Sequence, residues 1–578
     1  MCTFLNRICL LFFAALANNL LASESPNISF KDIPLDDSTV QQIYNQVDKR
    51  DASHEIFQQA LAADDLTQQN AALLGLGRIG GKMAIAMVTP FLGADKPSLR
   101  KNAAFAIGIS ADKENAPLLW QQLAKETHPS VKSEIYLALG LLGPDQLVSQ
   151  LLKQLPKEKN IELQGALFHG LGTAMVFNPQ LKDDLSQVDF NSLLDRLAAQ
   201  PEIANKIGLF INRVPEVAKY LSATKLLSLT KQKLTSQQIM VVARLINKVS
   251  ENNSAQSQQT NRAFVAWLIE QSDSQDLGVQ IAATQGLKNL IDFPQTLIQL
   301  GKLQLSHQPQ LAHTALQVIA QSKIDSEKVM GLLKQQLKND NPAMVVEAIN
   351  GLISRQNKDK MSWIVKLIKH PSDYVKIRLL GALHNKSKTD FKKTIEFFTN
   401  DPSEAVANVA KSLLTDNQQE KVTTAVTPKF TEVRKVIDKK IVLSTTAGEI
   451  TLALLPQAPY TSWHFVQYVN QGLYNGSYFS RVIGNFVAQG GDSIGNGEGS
   501  SNTTIREEIS FLAHIPMTVG IATLGKDTGT SQFFINTARN LHLDRKYTIF
   551  ATVIAGQENV YQLTNGAKII EAKVVEAD

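Results

Sequence analysis

The chain is almost without cysteine. Two of its 578 residues are Cys, Cys2 and Cys9, and both lie within the first 22 residues. The rest can hold neither a disulfide framework nor a thiolate metal site. Charge of one sign is also scarce. The net charge is +5 at pH 7, spread thinly and with no dense Lys/Arg cluster, which excludes an electrostatic nucleic-acid binder and a polybasic membrane patch. From residue 24 onward no apolar stretch reaches the ~20 residues of a spanning helix. The ten histidines fall at no metal-ligand spacing, so no metal and no cofactor is expected; His313, His370 and His384 read as structural. There is no phosphate loop and no Ser/His/Asp arrangement. Gly495-Asn496-Gly497-Glu498-Gly499 reads as a turn. A hydrophobic content of 44% with 19% charged residues is that of folded protein.

What is present begins at Arg7. Ile8 to Ala17 is apolar, Asn18 and Asn19 interrupt it, and small residues follow. This pattern describes a secretory signal over residues 1–22, cut after Ala17 or near Ala22, rather than an uncleaved anchor. The mature chain is then expected to be cysteine-free and exported, periplasmic or associated with the cell envelope. Residues 23–50 form a lead-in.

Residues 51–415 repeat. Asn70-Ala71-Ala72-Leu73 is echoed by Asn102-Ala103-Ala104-Phe105, then by segments opening at Ser133 and Gln164, each running into Gly. Pro97, Pro129, Pro309, Pro342, Pro371 and Pro402 each precede a helical apolar pattern, as befits a residue tolerated in a helix's first turn. Small residues recur at one phase of the second helix, where they let neighbouring helices approach. The pattern is similar to a HEAT-like all-α solenoid of two helices per ~31 residues. It blurs over 176–277, where regular repeats and a break in the array remain alternatives. The concave surface of such an array binds protein or acts as a spacer, and the sequence leaves both open.

Residues 416–440 are polar and aperiodic and read as a linker. From Ile441 the pattern turns to strands. Ile441–Thr445 and Glu449–Leu454 flank a Gly448 turn, Pro459 opens a helix that Gly472 ends, and short strands with Gly-rich turns follow. A closed antiparallel β-barrel with one or two covering helices fits this composition.

Two motifs then carry a resemblance. Tyr478-Phe479-Ser480-Arg481-Val482-Ile483-Gly484-Asn485-Phe486-Val487-Ala488-Gln489-Gly490-Gly491-Asp492 and Gly529-Thr530-Ser531-Gln532-Phe533-Phe534-Ile535 resemble the signatures of the cyclophilins, with supporting matches from Ala447 to Tyr474 and from Leu543 to Phe550. The resemblance covers 441–578 and implies a cyclophilin-type peptidyl-prolyl cis/trans isomerase, a multidomain protein with a HEAT-like solenoid before the barrel. It assigns Arg481 as the catalytic cation. The proline socket falls to Phe486, Val487, Phe534 and Leu543, and substrate contacts to Gln489, Ala522, Thr523, Gln532, His542 and Tyr547. Alternation along the strand sends Phe533 and Phe534 to opposite faces, and Phe533 reads as core.

The chemistry suits these residue types. Rotation about a peptide C–N bond faces a barrier of ~18–20 kcal/mol because resonance gives it double-bond character. At X-Pro the isomers differ by only ~1 kcal/mol, so both are populated and their exchange is slow. A catalyst must grip the ring and draw the nitrogen lone pair out of resonance, which a preorganised cation in a largely dry site does without nucleophile or metal. Ser480 replaces a histidine usual before the arginine, Thr523 an asparagine and Tyr547 a histidine. His542 stands where many members carry Trp or Phe, which implies weak inhibition by cyclosporin. Together these departures resemble the bacterial, exported members. The expected substrates are X-Pro bonds of unfolded or partly folded exported proteins, held near Arg481 by the helical arm. The alternative is a catalytically weak proline-peptide binder or scaffold whose working part is the solenoid.

Overall fold

The computed structural model describes residues 35–576 apart from 179–184, 215, 252–257, 323, 356–359, 388 and 416–421. The signal segment 1–22 and the start of the linker lie outside the described residues.

The N-terminal region is a stack of helix pairs. The inner helix of each pair begins at Ser38, Leu66, Pro97, Pro129, Ile161, Ala204, Ser236, Leu277, Pro309, Pro342, Asp373 and Glu404. Pro97, Pro129, Pro309 and Pro342 occupy the first helical position. Pro371 and Pro402 stand two residues further out, because Ser372 and Ser403 take the cap positions of the next helices. Across the blurred stretch the pairs continue. Its inner helices start at 161, 204, 236 and 277, and these uneven steps hide the period in sequence.

Small residues set the packing of successive inner helices. A Cβ on Gly140 would lie 2.3 Å from the Gly170 carbonyl oxygen, and one on Gly108 2.7 Å from the Ala138 Cβ. No larger side chain fits there without moving a helix.

Two boundaries differ from the expectation. Within the presumed lead-in, Ser38–Lys49 is a helix capped by Asp37, and its Val47 and Ile43 pack over Gly75. It is the first inner helix of the array. Within the presumed linker, the described residues from Val422 onward are a strap fixed at both ends. Strand β1 (Thr423–Thr424) pairs with a barrel strand introduced below. The short helix Phe430–Arg434 buries Phe430 and Val433 with Val40, Tyr44 and Tyr460. Asn45 and Arg434 tie the strap to the first helix through Pro428 and Asp36. A polar composition concealed two buried apolar anchors.

The C-terminal domain is a nearly closed antiparallel barrel. Its strands are β2 (Lys440–Thr445), β3 (Gly448–Leu454), β4 (Tyr478–Phe479), β5 (Arg481–Ile483), β6 (Val487–Gly490), β8 (Thr518–Ile521), β9 (Phe533–Asn536), β10 (Ile549–Ala555) and β11 (Ala567–Val575); β7 (Thr503–Thr504) pairs in parallel with β1. The order is β4-β11-β2-β3-β10-β8-β9-β6-β5. Ser480 alone separates β4 from β5, so the chain itself joins the sheet's two ends. The helix Pro459–Asn470 closes one mouth, with Phe465 packed on Tyr474, Phe533 and Phe550.

The barrel sits inside the curve of the array. The Arg78 guanidinium, 2% exposed, donates to the carbonyls of Ile509 at 2.8 Å, Gln457 at 3.0 Å and Glu508 at 3.3 Å. Arg545 forks onto the Glu134 carboxylate at 3.0 and 2.9 Å. Phe511 stacks on Phe105 at 4.0 Å beside a cluster of Ile109, Leu141 and Ile509. Further along, Asn485 donates to the Gly278 carbonyl at 2.6 Å, Gln310 to the carbonyls of Val560 and Leu563, and Arg378 to that of Asn496 at 2.9 Å.

Glu134 is 2% exposed, so truncating its partner strands a carboxylate. Arg545→Ala is expected to cost about 3–5 kcal/mol. A double-mutant cycle with Glu134→Gln, read by chemical denaturation, checks this: the second substitution recovers part of the loss, whereas additive losses would contradict a direct pair.

Candidate active site

Three neighbouring strands set the site. Register places Arg481 of β5 opposite Gln489 of β6, and Gln489 opposite Phe534 of β9. Directly opposed residues share a face, so cation, amide and aromatic ring form one row across the sheet. Phe533, one residue away, points inward and is fully buried against Phe465, Tyr474 and Phe479, as alternation predicts.

Around this row lies a small apolar cluster, separate from the barrel core. Val487, Phe534 and Leu543 are its buried members, with Phe486, Ala522 and Tyr547 packed against them. Tyr547 meets Phe534 edge-on at 5.7 Å. The sequence-predicted socket residues are thus together.

The polar members are also oriented. Gln532 donates to the carbonyls of Gly497 and Gly499 at 3.1 and 2.8 Å, which turns its amide oxygen to accept from Gln489 at 2.7 Å. Among the described residues the backbone of Thr523 makes no hydrogen bond, so this edge remains free to pair with a polypeptide. The Ala522 amide is taken up by Gln532 at 2.9 Å.

Arg481 is exposed, and its guanidinium lies 5.4 Å over the Phe486 ring. It takes no carboxylate partner among the described residues. Burial draws its pKa down, offset in part by Tyr547; the group remains a cation whose donors are uncommitted. Four hydrogen bonds fix Phe486 and its support. Its amide donates to Ile483, and its carbonyl accepts from Thr537 and from Asn540, which also donates to Asn536.

His542 stacks on Phe486 at 5.4 Å and 19°. Burial first, then the positive charge of Arg213 from the array, pushes its pKa down to about 3. The imidazole is neutral at physiological pH.

Other supporting residues have no role that the sequence assigns. The Asp544 carboxylate accepts from the His514 amide at 2.8 Å and from Arg539 at 2.9 Å, and it lies well below the usual carboxylate range because the Arg539 and His514 donors outweigh its burial. This anchors the turn Leu541–Leu543 that carries His542 and Leu543. His514 stacks on Phe534 from behind at 5.8 Å. From the array, the His169 Nε2 lies 2.7 Å from the Leu541 carbonyl oxygen. These groups are distant in sequence, and their pairings follow only from the fold.

The sequence-based matches agree with the geometry. A family description of cyclophilin type peptidyl-prolyl cis-trans isomerase/CLD matches residues 440–577, and one of HEAT repeats matches 55–140. Peptidyl-prolyl cis-trans isomerase B of Bacillus subtilis is 38% identical over 130 residues, 22% of this chain and 91% of that protein. The chain belongs to the cyclophilin-type peptidyl-prolyl cis-trans isomerase family. Peptidyl-prolyl cis-trans isomerase A of Dickeya dadantii is 42% identical over 127 residues, covering 20% of this chain and 67% of the relative. Peptidyl-prolyl cis-trans isomerase 9 of Schizosaccharomyces pombe is 38% identical over 137 residues, but the match spans only 22% of its length. Similar identity to fungal and bacterial cyclophilins does not by itself assign the barrel to either group.

With a folded pKa near 3 against ~6.5 unfolded, His542 binds fewer protons folded than unfolded between those values. Its contribution to stability is present above pH ~6.5 and is lost as the pH falls through that window. Nitrogen-15 NMR of the labelled imidazole is expected to show the neutral ring at about pH 5.5; an imidazolium signal there would contradict the assigned environment.

Proposed function

We propose that the chain catalyses cis/trans isomerisation of X-Pro bonds in exported polypeptides, with Arg481 as the catalytic cation. The row Arg481–Gln489–Phe534 beside the Val487–Phe534–Leu543 socket supports this most strongly. The socket takes the prolyl ring, and the Ala522–Thr523 edge, with its Thr523 backbone open to pairing, and the oriented Gln489–Gln532 pair hold the backbone around it. Arg481, uncommitted and poised above Phe486, donates toward the prolyl nitrogen as that atom becomes pyramidal. A hydrogen bond made only when the lone pair leaves resonance stabilises the twisted state over either planar isomer.

Substrates are proline-containing segments of unfolded or partly folded chains. Export rests on the N-terminal signal pattern and the absence of cysteine after it. The bacterial assignment rests on the departures at Ser480, Thr523, His542 and Tyr547 taken together. The array's first task is to carry the barrel on its inner face. Client holding falls to the open stretch of that face beside the socket and to the array's outer surfaces.

Exchange of an X-Pro peptide measured by NMR with the full chain tests the reading. Arg481→Ala is expected to lower kcat/KM by about 10²–10³-fold while peptide affinity changes less, with Arg481→Lys recovering little because a point charge does not reproduce the fork. Rates that match the uncatalysed reaction in the parent chain, with peptide still bound, would establish a proline-peptide binder instead.

A further inference from the structure

The basic residues at the boundary between array and barrel are mostly spoken for. Arg78, Arg378 and Lys526 donate to barrel or array carbonyls, and Arg545 and Arg50 hold the carboxylates of Glu134 and Asp527. Two arginines of the array break this pattern. Arg213 ends the inner helix Ala204–Arg213, and Arg244 lies on the next inner helix, Ser236–Val249. Both are solvent-exposed, and neither takes a hydrogen bond or ion pair among the described residues.

Their place is fixed by their neighbours. The helix ending at Arg213 touches the turn Leu541–Leu543, whose His542 stacks on Phe486 at the rim of the proline socket. One turn before Arg244, the Met240 sulfur reaches Gly278 at the point where Asn485 is hydrogen-bonded to the array, and Asn485 directly precedes Phe486. Arg213 and Arg244 therefore stand beyond the His542–Phe486 rim, on the array side of the groove. Consistent with this, both charges are felt by His542, and burial depresses both guanidinium pKa values, that of Arg244 further lowered by Arg213. Two like charges near one another, without a carboxylate between them, make a site for an anion that the protein does not itself supply.

We propose that Arg213 and Arg244 form a subsite for a carboxylate side chain of the bound polypeptide, so that the array selects X-Pro segments carrying Asp or Glu near the proline. The site lies next to a socket that takes extended polypeptide, which makes an acidic residue of the same segment the ligand of matching geometry. Guanidinium forks suit a carboxylate bidentately. The array then acts as the specificity element of the isomerase rather than as a separate binding module. This rests on the proposed isomerase reading for its substrate, and its test has a binding arm independent of turnover.

Paired proline peptides with Glu or Gln, placed at each of the two positions before and after the proline, provide the probe. With the full chain at low salt, kcat/KM and affinity by fluorescence anisotropy are each expected to favour Glu over Gln about five- to tenfold at one of these positions. Raising salt to about 0.5 M should shrink the ratio. In Arg213→Ala/Arg244→Ala the Glu/Gln ratio should fall to about one, and in Arg213→Lys/Arg244→Lys part of it should return. Equal handling of Glu and Gln at every position by the parent chain, or a ratio unchanged in the double alanine variant, would overturn the subsite. If the chain binds these peptides without accelerating exchange, the isomerase reading fails while the affinity ratio still decides the subsite.

Discussion

The inner face of the helical array is filled by the chain's own barrel, and much of the rest depends on that seating. Arg78 shows the constraint at one point: a nearly buried guanidinium from the second inner helix closes three backbone carbonyls of the barrel, those of Glu508 and Ile509 in one loop and of Gln457 in another. Neither surface is self-sufficient there. An array without the barrel leaves this cation and the ring of Phe105 uncovered, and a barrel without the array leaves Glu508, whose pKa burial raises to about 7, without the opposing charge of Arg78. Buried polar groups must be paired across the boundary, so the position of the barrel is specified, not merely permitted.

This seating governs the site. The row Arg481–Gln489–Phe534 is built by β5, β6 and β9 of the barrel. Its rim is another matter. The His542 turn is held from within by Asp544 and Arg539 and from outside by His169 of the array. The Phe486 loop is held from within by Asn540 and from outside by the Gly278 carbonyl that Asn485 reaches. The array touches both sides of the groove without covering Arg481. The row of Arg481, Gln489 and Phe534 and the rim around it are therefore held by different parts of the chain.

The architecture and the socket were legible because both follow local rules. Proline at first helical positions and small residues at helix crossings recur wherever the packing recurs, and Arg481, Gln489, Gln532 and Phe534 fall inside contiguous motifs. The strap from Val422 to Lys439 was not legible. Phe430 and Val433 anchor it against Tyr44 and Tyr460, residues that become neighbours only when array and barrel are assembled. His514, Arg539 and Asp544 escaped for the same reason. Their pairing is a property of loops brought together by strand order, and no spacing announces it. The first described inner helix, Ser38–Lys49, lacks the Ala/Gly phase of later repeats; its Val40 and Tyr44 pack on the strap instead.

Cross-linking in solution tests the seating most directly. Lys526 lies at the tip of a barrel loop, with its Nζ donating to the Ile79 carbonyl at 2.9 Å and 3.1 Å from where a Cβ on Gly80 would stand; Lys82 follows two residues on. A short amine-reactive cross-linker applied to the dilute full chain should join Lys526 to Lys82 within one molecule, identified by mass spectrometry of the digest. Barrel lysines that link only to one another, with no bridge to the first repeats, would contradict a barrel seated in its own array.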